Sequence, residues 1–419
     1  MTETCGDCFS GPGQQITAGA ALARLKAQAQ PVTAAETVPL TAAARRILAE
    51  APAAVRPIPA YDNSAVDGYA FRHDPRLTRF KVIGRAAAGH PFAGALGPGE
   101  AVRIFTGAAM PEGADTVAMQ EVATTDGSWV TLPAGLAAGD NRRFAGEDVR
   151  AGDRPLAART RLRPQEVALL AAMGVPEVSV HRRLSVAVFS SGDEIREPGS
   201  PLPPGGVYDA NRYFLRACLT TWGHEVHDLG ILADDRAVVA KALLEAAEAY
   251  DVVLTSAGAS QGDEDHIVRT VESHGKLHFW RLAIKPGRPL ALGNLGRAAF
   301  IGLPGNPVAV ALCLLRFARP VLEVMAGAKW PEPMPSLIPA AFAMTKKAGR
   351  REFLRGRRRV TDRGVVVDRF ALDGSGIISS LIAADGFIEL DEDLTEIKVG
   401  DAVSFLPFSE FGLPFGTPA

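Results

Sequence analysis

The sequence lacks a long apolar run. Its longest apolar stretch, VAVALCLL at residues 308–315, ends at Arg316, well short of the roughly 20 apolar residues that a membrane-spanning helix needs. The first residues, MTETCGDCFSGPGQQ, have neither a basic start nor an apolar segment, so they do not resemble a signal peptide. We therefore expect a cytoplasmic protein that does not bind membranes.

An excess of charge of one sign is also missing. The 419 residues include 45 basic and 47 acidic side chains, which gives a formal net charge of −2. This balance provides no overall field for nucleic acid or an anionic membrane, so an anionic ligand would need a local cluster. With 47% hydrophobic residues, the chain has enough apolar material for two to four folded domains.

Cysteine is scarce, with four residues in the chain. Cys218 and Cys313 lie in helical apolar patterns, where small buried thiols are common. Cys5 and Cys8 form a C-x-x-C pair, but a structural zinc site needs four ligands and the sequence has no second pair. We expect no structural zinc.

Several common catalytic and nucleotide-binding patterns are absent as well. The sequence contains neither G-x-x-x-x-G-K-[ST] nor a strand-linked G-x-G-x-x-G, which disfavours P-loop and dinucleotide binding. Its eight histidines suggest no Ser-His-Asp set, because those such as His266 and His274 fall in helical or turn contexts.

Hydrophobic patterning predicts a multidomain α/β protein. Residues 14–52 and 142–183 form an elongated, discontinuous helical/linker domain, in which ITAGAALARLKAQAQ, TAAARRILAE and PQEVALLAAM read as helices. Short β-prone runs in residues 53–141 predict an inserted mostly-β domain. Residues 184–327 alternate strands with helices, which is typical of an open parallel-sheet α/β domain. Residues 328–419 predict a C-terminal small β-barrel.

Three glycine-rich loops follow predicted strands of the α/β region: SSGDE (190–194), TSAGASQGDED (255–265) and GLPGNP (302–307). Ligands of open parallel sheets bind beyond the carboxyl ends of the strands, and glycine lets the backbone approach phosphate closely. Three such loops predict an elongated, phosphate-bearing ligand.

Carboxylates in the first two loops predict a metal site. They would repel phosphate unless a hard cation such as Mg²⁺ lay between them. The alternative is that they are solvated helix caps. The predicted metal ligands are Asp193, Glu194, Asp263 and Asp265.

Eight motifs occur in an order that resembles the molybdopterin molybdenumtransferases, the MoeA and gephyrin E-domain family. They are PAYDNSAVDGYAF (59–71), RIFTGAAMPEGADTVAMQE (103–121), NRRFAGED (141–148), FSSGDEI (189–195), GVYDANR (206–212), LTSAGASQGDED (254–265), AIKPGRP (283–289) and GLPGNPVAV (302–310). The resemblance implies a sheet domain of the molybdopterin-binding type. It also implies insertion of molybdate into adenylated molybdopterin, with divalent-metal-dependent phosphoanhydride cleavage and release of AMP.

The resemblance further implies a homodimer whose active cleft is shared between subunits. Transient contacts with the molybdopterin adenylyltransferase and with cofactor-accepting enzymes would deliver substrate and remove product. Asp67 and Thr106 match positions that the family uses from the opposing subunit, and Arg143 and Asp148 match other functional positions of the family. A turn residue at Asp67 and a surface ion pair at Arg143 and Asp148 are the alternatives.

The resemblance also implies ligand contacts at the positions of this sequence that match the family's motifs. Pterin or phosphate contacts are implied at Ser191, Gly192, Asp234, Ser256, Gly258, Ser260, Gly262, Pro304, Gly305 and Asn306. Asp234 is equally expected to cap the next helix. Residues implied in catalysis are Asp67, Thr106, Asp148, Glu194, Asp265 and Lys285, acting by orientation and charge stabilisation without a protein nucleophile.

Molybdate is a tetrahedral dianion that needs cations and hydroxyl donors. Lys285, Arg281, Arg288, Arg355 and Ser375 would supply them. Arg281 and Arg288 stand where the family often has lysine, so a planar fork replaces a point charge. The cluster RREFLRGRRR around Arg355 could instead be the exposed face of a strand. Two other functions stay open, a molybdopterin adenylyltransferase and a non-catalytic pterin-binding scaffold.

Overall fold

The computed structural model describes residues 15–256 and 266–413. Two compact units account for these residues: one contains residues 36–44 and 48–180, and the other contains the rest. Within the described ranges, no helix combines the length and the apolar content that crossing a bilayer requires. The division into four domains predicted above is finer than these two units and stays a prediction.

The unit of residues 36–44 and 48–180 is mostly β-structure. After helix α1 (Ala18–Gln28) of the other unit, its elements are β1 (Ala35–Pro39), a 3₁₀ turn (Leu40–Ala42), β2 (Asn63–Ser64), β3 (Gly68–Phe71), β4 (Arg79–Ala86), β5 (Glu100–Ile104), β6 (Thr116–Met119), a 3₁₀ turn (Gln120–Val122), β7 (Thr124–Thr125), β8 (Trp129–Thr131), β9 (Arg142–Arg143), α2 (Pro164–Ala172) and β10 (Glu177–His181). The main sheet has the order β6-β3-β5-β4-β8-β7. Because side chains alternate along a strand, β3 buries Tyr69 and Phe71 on one face and Ala70 on the other.

One predicted helix of this region is wrong. TAAARRILAE (41–50) does not form a helix, since Arg45 has a left-handed φ of 66° and the Leu48 N–H donates to Thr160 O at 2.9 Å. A helix would direct that N–H to the carbonyl four residues earlier. Tertiary pairing of the fully buried Leu48 therefore overrides helix propensity. The other two predicted helices are confirmed as α1 and α2.

The α/β part of the second unit has one six-stranded sheet. Its elements are β11 (Ser185–Ser191), β12 (Ile195–Arg196), β13 (Val207–Tyr208), α3 (Ala210–Thr221), β14 (Glu225–Leu232), α4 (Arg236–Ala249), β15 (Val252–Thr255), α5 (His266–His274), β16 (Gly275–Arg281), β17 (Ile284–Lys285), β18 (Pro289–Leu295), β19 (Ala298–Gly302), α6 (Pro307–Cys313), a π-helical turn (Leu314–Ala318) and α7 (Arg319–Met325). The sheet order is β14-β11-β15-β19-β18-β16. The first four strands are parallel, as predicted, and β18 and β16 extend the sheet in antiparallel fashion.

Both faces of this sheet are buried. In β11, Val186 and Val188 join the cluster that contains Leu215 of α3, while Ala187 and Phe189 join the cluster that contains Val239 of α4 and Ile267 of α5. This double cover explains why the strand LSVAVF is almost continuously apolar.

The C-terminal strands form the predicted small barrel. They are β20 (Ser336–Pro339), β21 (Met344–Thr345), β22 (Arg351–Thr361), β23 (Gly364–Arg369), β24 (Gly386–Leu390), β25 (Glu396–Ile397) and β26 (Ala402–Pro407), with α8 (Ser379–Ala383) and a 3₁₀ turn (Phe408–Phe411). The sheet runs β17-β22-β24-β26-β20, with β23 on the other side of β22. A bridge between Ala340 and Val367 joins the end of β20 to β23, so the strands close around Leu354, Ile388 and Phe405.

Candidate functional site

Three strands that precede the predicted loops end at one edge of the six-stranded sheet. They are β11, β15 and β19, which are neighbours, and the register pairs Thr255 with both Phe189 and Gly302. The Leu303 N–H donates to Thr255 O at 2.8 Å. Of the second loop only Thr255 and Ser256 are described, and the predicted site residues Gly258, Ser260, Gly262, Asp263 and Asp265 lie outside the described residues.

A cleft of about 670 Å³ opens at this edge of the sheet, and we call it the sheet-edge cleft. Hydroxyl and amide side chains line much of it, together with one carboxylate that belongs to Glu194 and another that belongs to Asp209. The predicted residues among its lining are Ser191, Glu194, Ser256, Pro304, Gly305 and Asn306, and the others include Ser190, Tyr208, Asn211, Pro289 and Gly376.

Ser190 contributes a buried hydroxyl group to the lining of this cleft. The residue is 2% exposed, and its Oγ has no hydrogen-bond partner within residues 15–256 and 266–413. Leaving a buried polar atom unpaired costs about 1–3 kcal/mol. A ligand in the cleft would find this hydroxyl available.

The turn after β11 brings two exposed carboxylates beside the cleft. Gly192 has φ +146°, and a Cβ at this position would lie 2.6 Å from Glu194 Oε2. Glycine therefore lets the Glu194 carboxylate fold back over its own turn. Asp193 lies in the same turn, where its carbonyl accepts a hydrogen bond from Arg196 Nη1 at 2.7 Å.

A buried ion-pair network supports the part of the cleft lining that contains Asp209 and Asn211. The Arg212 guanidinium donates to Asp209 Oδ2 at 2.8 Å, to both oxygens of Asp228 at 2.5 Å, and to Glu197. Burial alone would lower the pKa of Arg212, but Asp209 and Asp228 raise it. The network fixes the start of α3, where Asn211 Nδ2 donates to Gly305 O at 2.6 Å.

The motif GVYDANR (206–212) contains no predicted site residue. Five of its seven residues, 207–211, nevertheless line the cleft. In the sequence, an aspartate that can cap a helix and a nearby asparagine stand at the start of a predicted helix. This pattern could have indicated that both lie at the ligand-binding edge of the sheet.

A second cavity of about 380 Å³ adjoins the first, and we call it the basic pocket. Four of its lining residues are basic and one, Asp373, is acidic. The lining comprises Ile284, Lys285, Pro286, Gly287, Arg288, Arg350, Phe353, Leu354, Arg355, Asp373, Gly374 and Ser375. Of the five residues predicted to receive the oxyanion, Lys285, Arg288, Arg355 and Ser375 are therefore brought together, whereas Arg281 does not line this pocket.

Arg355 has a structural engagement that the sequence did not reveal. The residue is 5% exposed, and its guanidinium donates to Ser380 Oγ at 3.0 Å and to Leu372 O at 2.8 Å. It thereby holds the segment that leads to Ser375. The exposed-strand alternative fits only the far end of the cluster, where Arg357 and Arg359 are exposed.

Two chain segments join the cavities. Arg288 and Ser375 line the basic pocket, whereas the next residues, Pro289 and Gly376, line the sheet-edge cleft. The Val308 N–H, at the start of α6, donates to Ser375 O at 2.9 Å. The barrel segment is thus tied to the loop that carries Gly305 and Asn306.

Four predicted residues, Asp67, Thr106, Arg143 and Asp148, belong to the other unit. In the other unit, Thr106 donates to Asp67 Oδ1 from its N–H at 2.8 Å and from its hydroxyl at 2.7 Å, which lowers the pKa of Asp67. Arg143 in β9 and Asp148 are exposed in that unit.

Two further predicted residues of the sheet domain also lie outside the cavity linings. Asp234 does not cap α4, because Asp235 accepts the N–H groups of Ala237 and Val238 at 2.9 and 3.0 Å. Arg281 ends β16 and is exposed.

Comparison with known proteins agrees with this architecture. Residues 16–174 match the MoeA N-terminal region (domain I and II), residues 187–324 a probable molybdopterin binding domain, and residues 338–408 the MoeA C-terminal region (domain IV). The crystal structure of a molybdopterin biosynthesis MoeA protein from Pyrococcus horikoshii has a TM-score of 0.80 and 28% identity, covering 94% of this chain and 100% of that one.

Curated relatives carry the same family name. A molybdopterin molybdenumtransferase of Haemophilus influenzae is 38% identical over 383 residues, covering 90% of this chain and 95% of the relative. A second, from Nostoc, is 37% identical over 311 residues, covering 71% of each. With three family regions in order and this extent of identity, the chain belongs to the molybdopterin molybdenumtransferase family.

Proposed function

We propose that the protein inserts molybdate into adenylated molybdopterin, cleaves the phosphoanhydride and releases AMP, which gives molybdenum cofactor. The observation that carries this proposal is the joining of two unlike cavities. Hydroxyl and amide groups in the sheet-edge cleft suit a pterin and its phosphates, whereas Lys285 and Arg288 in the basic pocket suit a dianion. Residues 288–289 and 375–376 would keep the two ligands next to each other.

The donor set fits a divalent cation such as Mg²⁺. Asp193 and Glu194 are exposed carboxylates in one turn, and Gly192 leaves room for the Glu194 carboxylate. Mg²⁺ usually takes one or two protein carboxylates and completes its shell with water and phosphate. The other two predicted ligands, Asp263 and Asp265, lie outside the described residues. The ion would neutralise phosphate charge when bound.

The protein groups would act by orientation and charge stabilisation. Ser191 and Ser256 can donate hydroxyl hydrogen bonds to the pterin nucleotide, and Lys285 with Arg288 can orient the oxyanion. We further propose a homodimer in which Asp67 and Thr106 of the partner subunit complete the site. Their preformed hydrogen bonds support a functional carboxylate there. We also propose functional roles for the exposed Arg143 and Asp148. The molybdopterin adenylyltransferase is proposed as a transient partner.

An assay of the purified protein with adenylated molybdopterin, Mg²⁺ and molybdate tests the proposal. AMP release that depends on molybdate supports it. Consumption of ATP would instead indicate an adenylyltransferase, and binding without turnover a scaffold. Asp265→Ala and Lys285→Ala should each lower turnover, and full activity in both would contradict the assigned site.

A further inference from the structure

We infer that Glu352 is a positioning residue, which holds the Lys285 ammonium group in the basic pocket and so determines where an oxyanion is received. The inference rests on the proposed function for the identity of the oxyanion. Its starting point is an unexpected feature, namely a buried carboxylate directly beside a pocket whose charge is mainly positive.

Glu352 lies in apolar surroundings. Its side chain is 8% exposed, and alternation along β22 places it on the same face as Leu354, which packs in the barrel core with Ile388 and Phe405. A carboxylate in such a place is costly to bury unless a cation or hydrogen-bond donors compensate it.

Lys285 provides the compensation. Its Nζ donates to Glu352 Oε2 at 3.2 Å, and among the residues that the structure describes no other side chain is bonded to this carboxylate. The parallel register of β17 and β22 sets Lys285 directly opposite Glu352. The contact is therefore built into the strand pairing between the sheet domain and the barrel.

Lys285 needs such an anchor more than its neighbours do. Its side chain is 49% exposed, and a lysine stem has four flexible carbons. Arg355 is already held by Ser380 and main-chain carbonyls. Fixing Lys285 Nζ at one point would keep a charge ready for the dianion before it arrives, which lowers the cost of organising the site.

The chain offers a matched control in Glu389. Its side chain is 7% exposed and pairs with Arg351 at 2.6 Å, and it belongs to β24, the strand next to β22. It does not line the basic pocket. Glu389→Gln therefore removes a comparable buried charge from the same barrel without touching Lys285.

A double-mutant cycle measures whether Glu352 acts through Lys285. In the molybdate-dependent AMP release assay, Glu352→Gln should lower kcat/KM for molybdate about ten-fold and leave KM for adenylated molybdopterin unchanged. Adding Glu352→Gln to Lys285→Ala should cause no further loss, and Glu389→Gln should retain wild-type values. Wild-type kinetics in Glu352→Gln, or losses that add in the double variant, would overturn the inference.

A second measurement does not depend on activity. Acetylation of surface amines, followed by mass spectrometry, should modify Lys285 faster in Glu352→Gln than in the wild type, while the exposed Lys398 reacts equally in both. Equal rates at Lys285 would overturn the inference. If the wild type fails to release AMP, the proposed function fails but this labelling still tests the contact. If Glu352→Gln does not fold, Glu352→Asp withdraws the carboxylate by one methylene and should show the same changes to a smaller degree.

Discussion

The carboxylate of Asp67 and the side chain of Thr106 are joined across the ends of β3 and β5. Thr106 donates from both its N–H, at 2.8 Å, and its hydroxyl, at 2.7 Å, to the same oxygen of Asp67. These two hydrogen bonds, the main-chain one first, lower the pKa of Asp67. The carboxylate is therefore kept ionised and oriented while it remains in contact with solvent.

Thr106→Val should raise the pKa of Asp67 part of the way to its ordinary value, since the hydroxyl is lost and the N–H remains. A lowered pKa means that this group stabilises the fold above its unfolded-state pKa, and that the contribution is lost as pH falls through the lower folded-state pKa. The variant should lose part of that contribution. Carboxyl chemical shifts followed against pH would measure the change. Asp126, whose pKa is lowered by the N–H groups of Trp129 and Ser128, should titrate as in the wild type.

Arg212→Met should destabilise the second unit strongly. Asp209 is 2% exposed at its side chain and would lose its cation, and breaking a buried ion pair in this way costs about 3–5 kcal/mol. Urea unfolding monitored by circular dichroism would measure the loss. Arg216→Met provides the comparison, because Arg216 is 41% exposed where it meets Asp228 and should cost at most about 1 kcal/mol. Equal stability of the two variants would contradict this account of the network.

Gly287→Ala should be more harmful than Gly296→Ala. Both glycines have positive φ, +88° and +57°, so both substitutions strain the backbone by about 1–2 kcal/mol. At Gly287 the new Cβ would also lie 3.0 Å from Cys313 Sγ, whereas nothing lies within 4 Å of it at Gly296. Overpacking should add about 1–3 kcal/mol. Melting temperatures of the two variants give the test, and Cys313→Ala should restore part of the loss in Gly287→Ala.

Ser190→Ala should raise stability and weaken ligand binding. The substitution removes a buried hydroxyl that makes no hydrogen bond within the described residues, so the cost of burying that unpaired group, about 1–3 kcal/mol, is relieved in the folded protein. A hydrogen bond to the ligand is worth about 0.5–1.5 kcal/mol, and calorimetric titration with pterin nucleotide should show weaker binding to that extent. Ser380→Ala should lower stability, because Ser380 Oγ accepts a hydrogen bond from Arg355 in the folded protein.

Cys218 and Cys313 should resist alkylation in the native protein. Burial raises the pKa of both thiols to about 12, and the thiolate is the reactive form. Treatment with iodoacetamide at mildly alkaline pH, followed by peptide mapping, should find both unmodified, and denaturant should make both reactive. Native modification of either thiol would show that its surroundings open.

The sheet domain could be predicted from sequence because its signals are local. LSVAVFSSG and DVVLTSAG are apolar runs that end in glycine-containing turns, and parallel strands bring their carboxyl ends to one edge. The rule predicts that the loops carrying Ser191, Ser256 and Gly305 lie near one another, and these three residues line one cleft.

Features that depend on long-range register could not be predicted. The contact between Lys285 and Glu352 joins residues 67 positions apart in the sequence and requires knowledge that β17 pairs with β22. The engagement of Arg355 by Ser380 has the same origin. The sequence predicts Asp234 as a cap of the next helix, whereas the backbone geometry selects the adjacent Asp235. TAAARRILAE has helical composition, but its backbone pairs with distant segments.

The bond between the Val308 N–H and Ser375 O uses main-chain atoms only. Side-chain replacement at either position leaves both atoms in place. This hydrogen bond between the two cavities therefore does not depend on which side chains line them. Proline at 308 is the exception, because it alone has no N–H to give. The lining of either cavity can therefore be redesigned for another oxyanion or another nucleotide while this main-chain hydrogen bond is left intact.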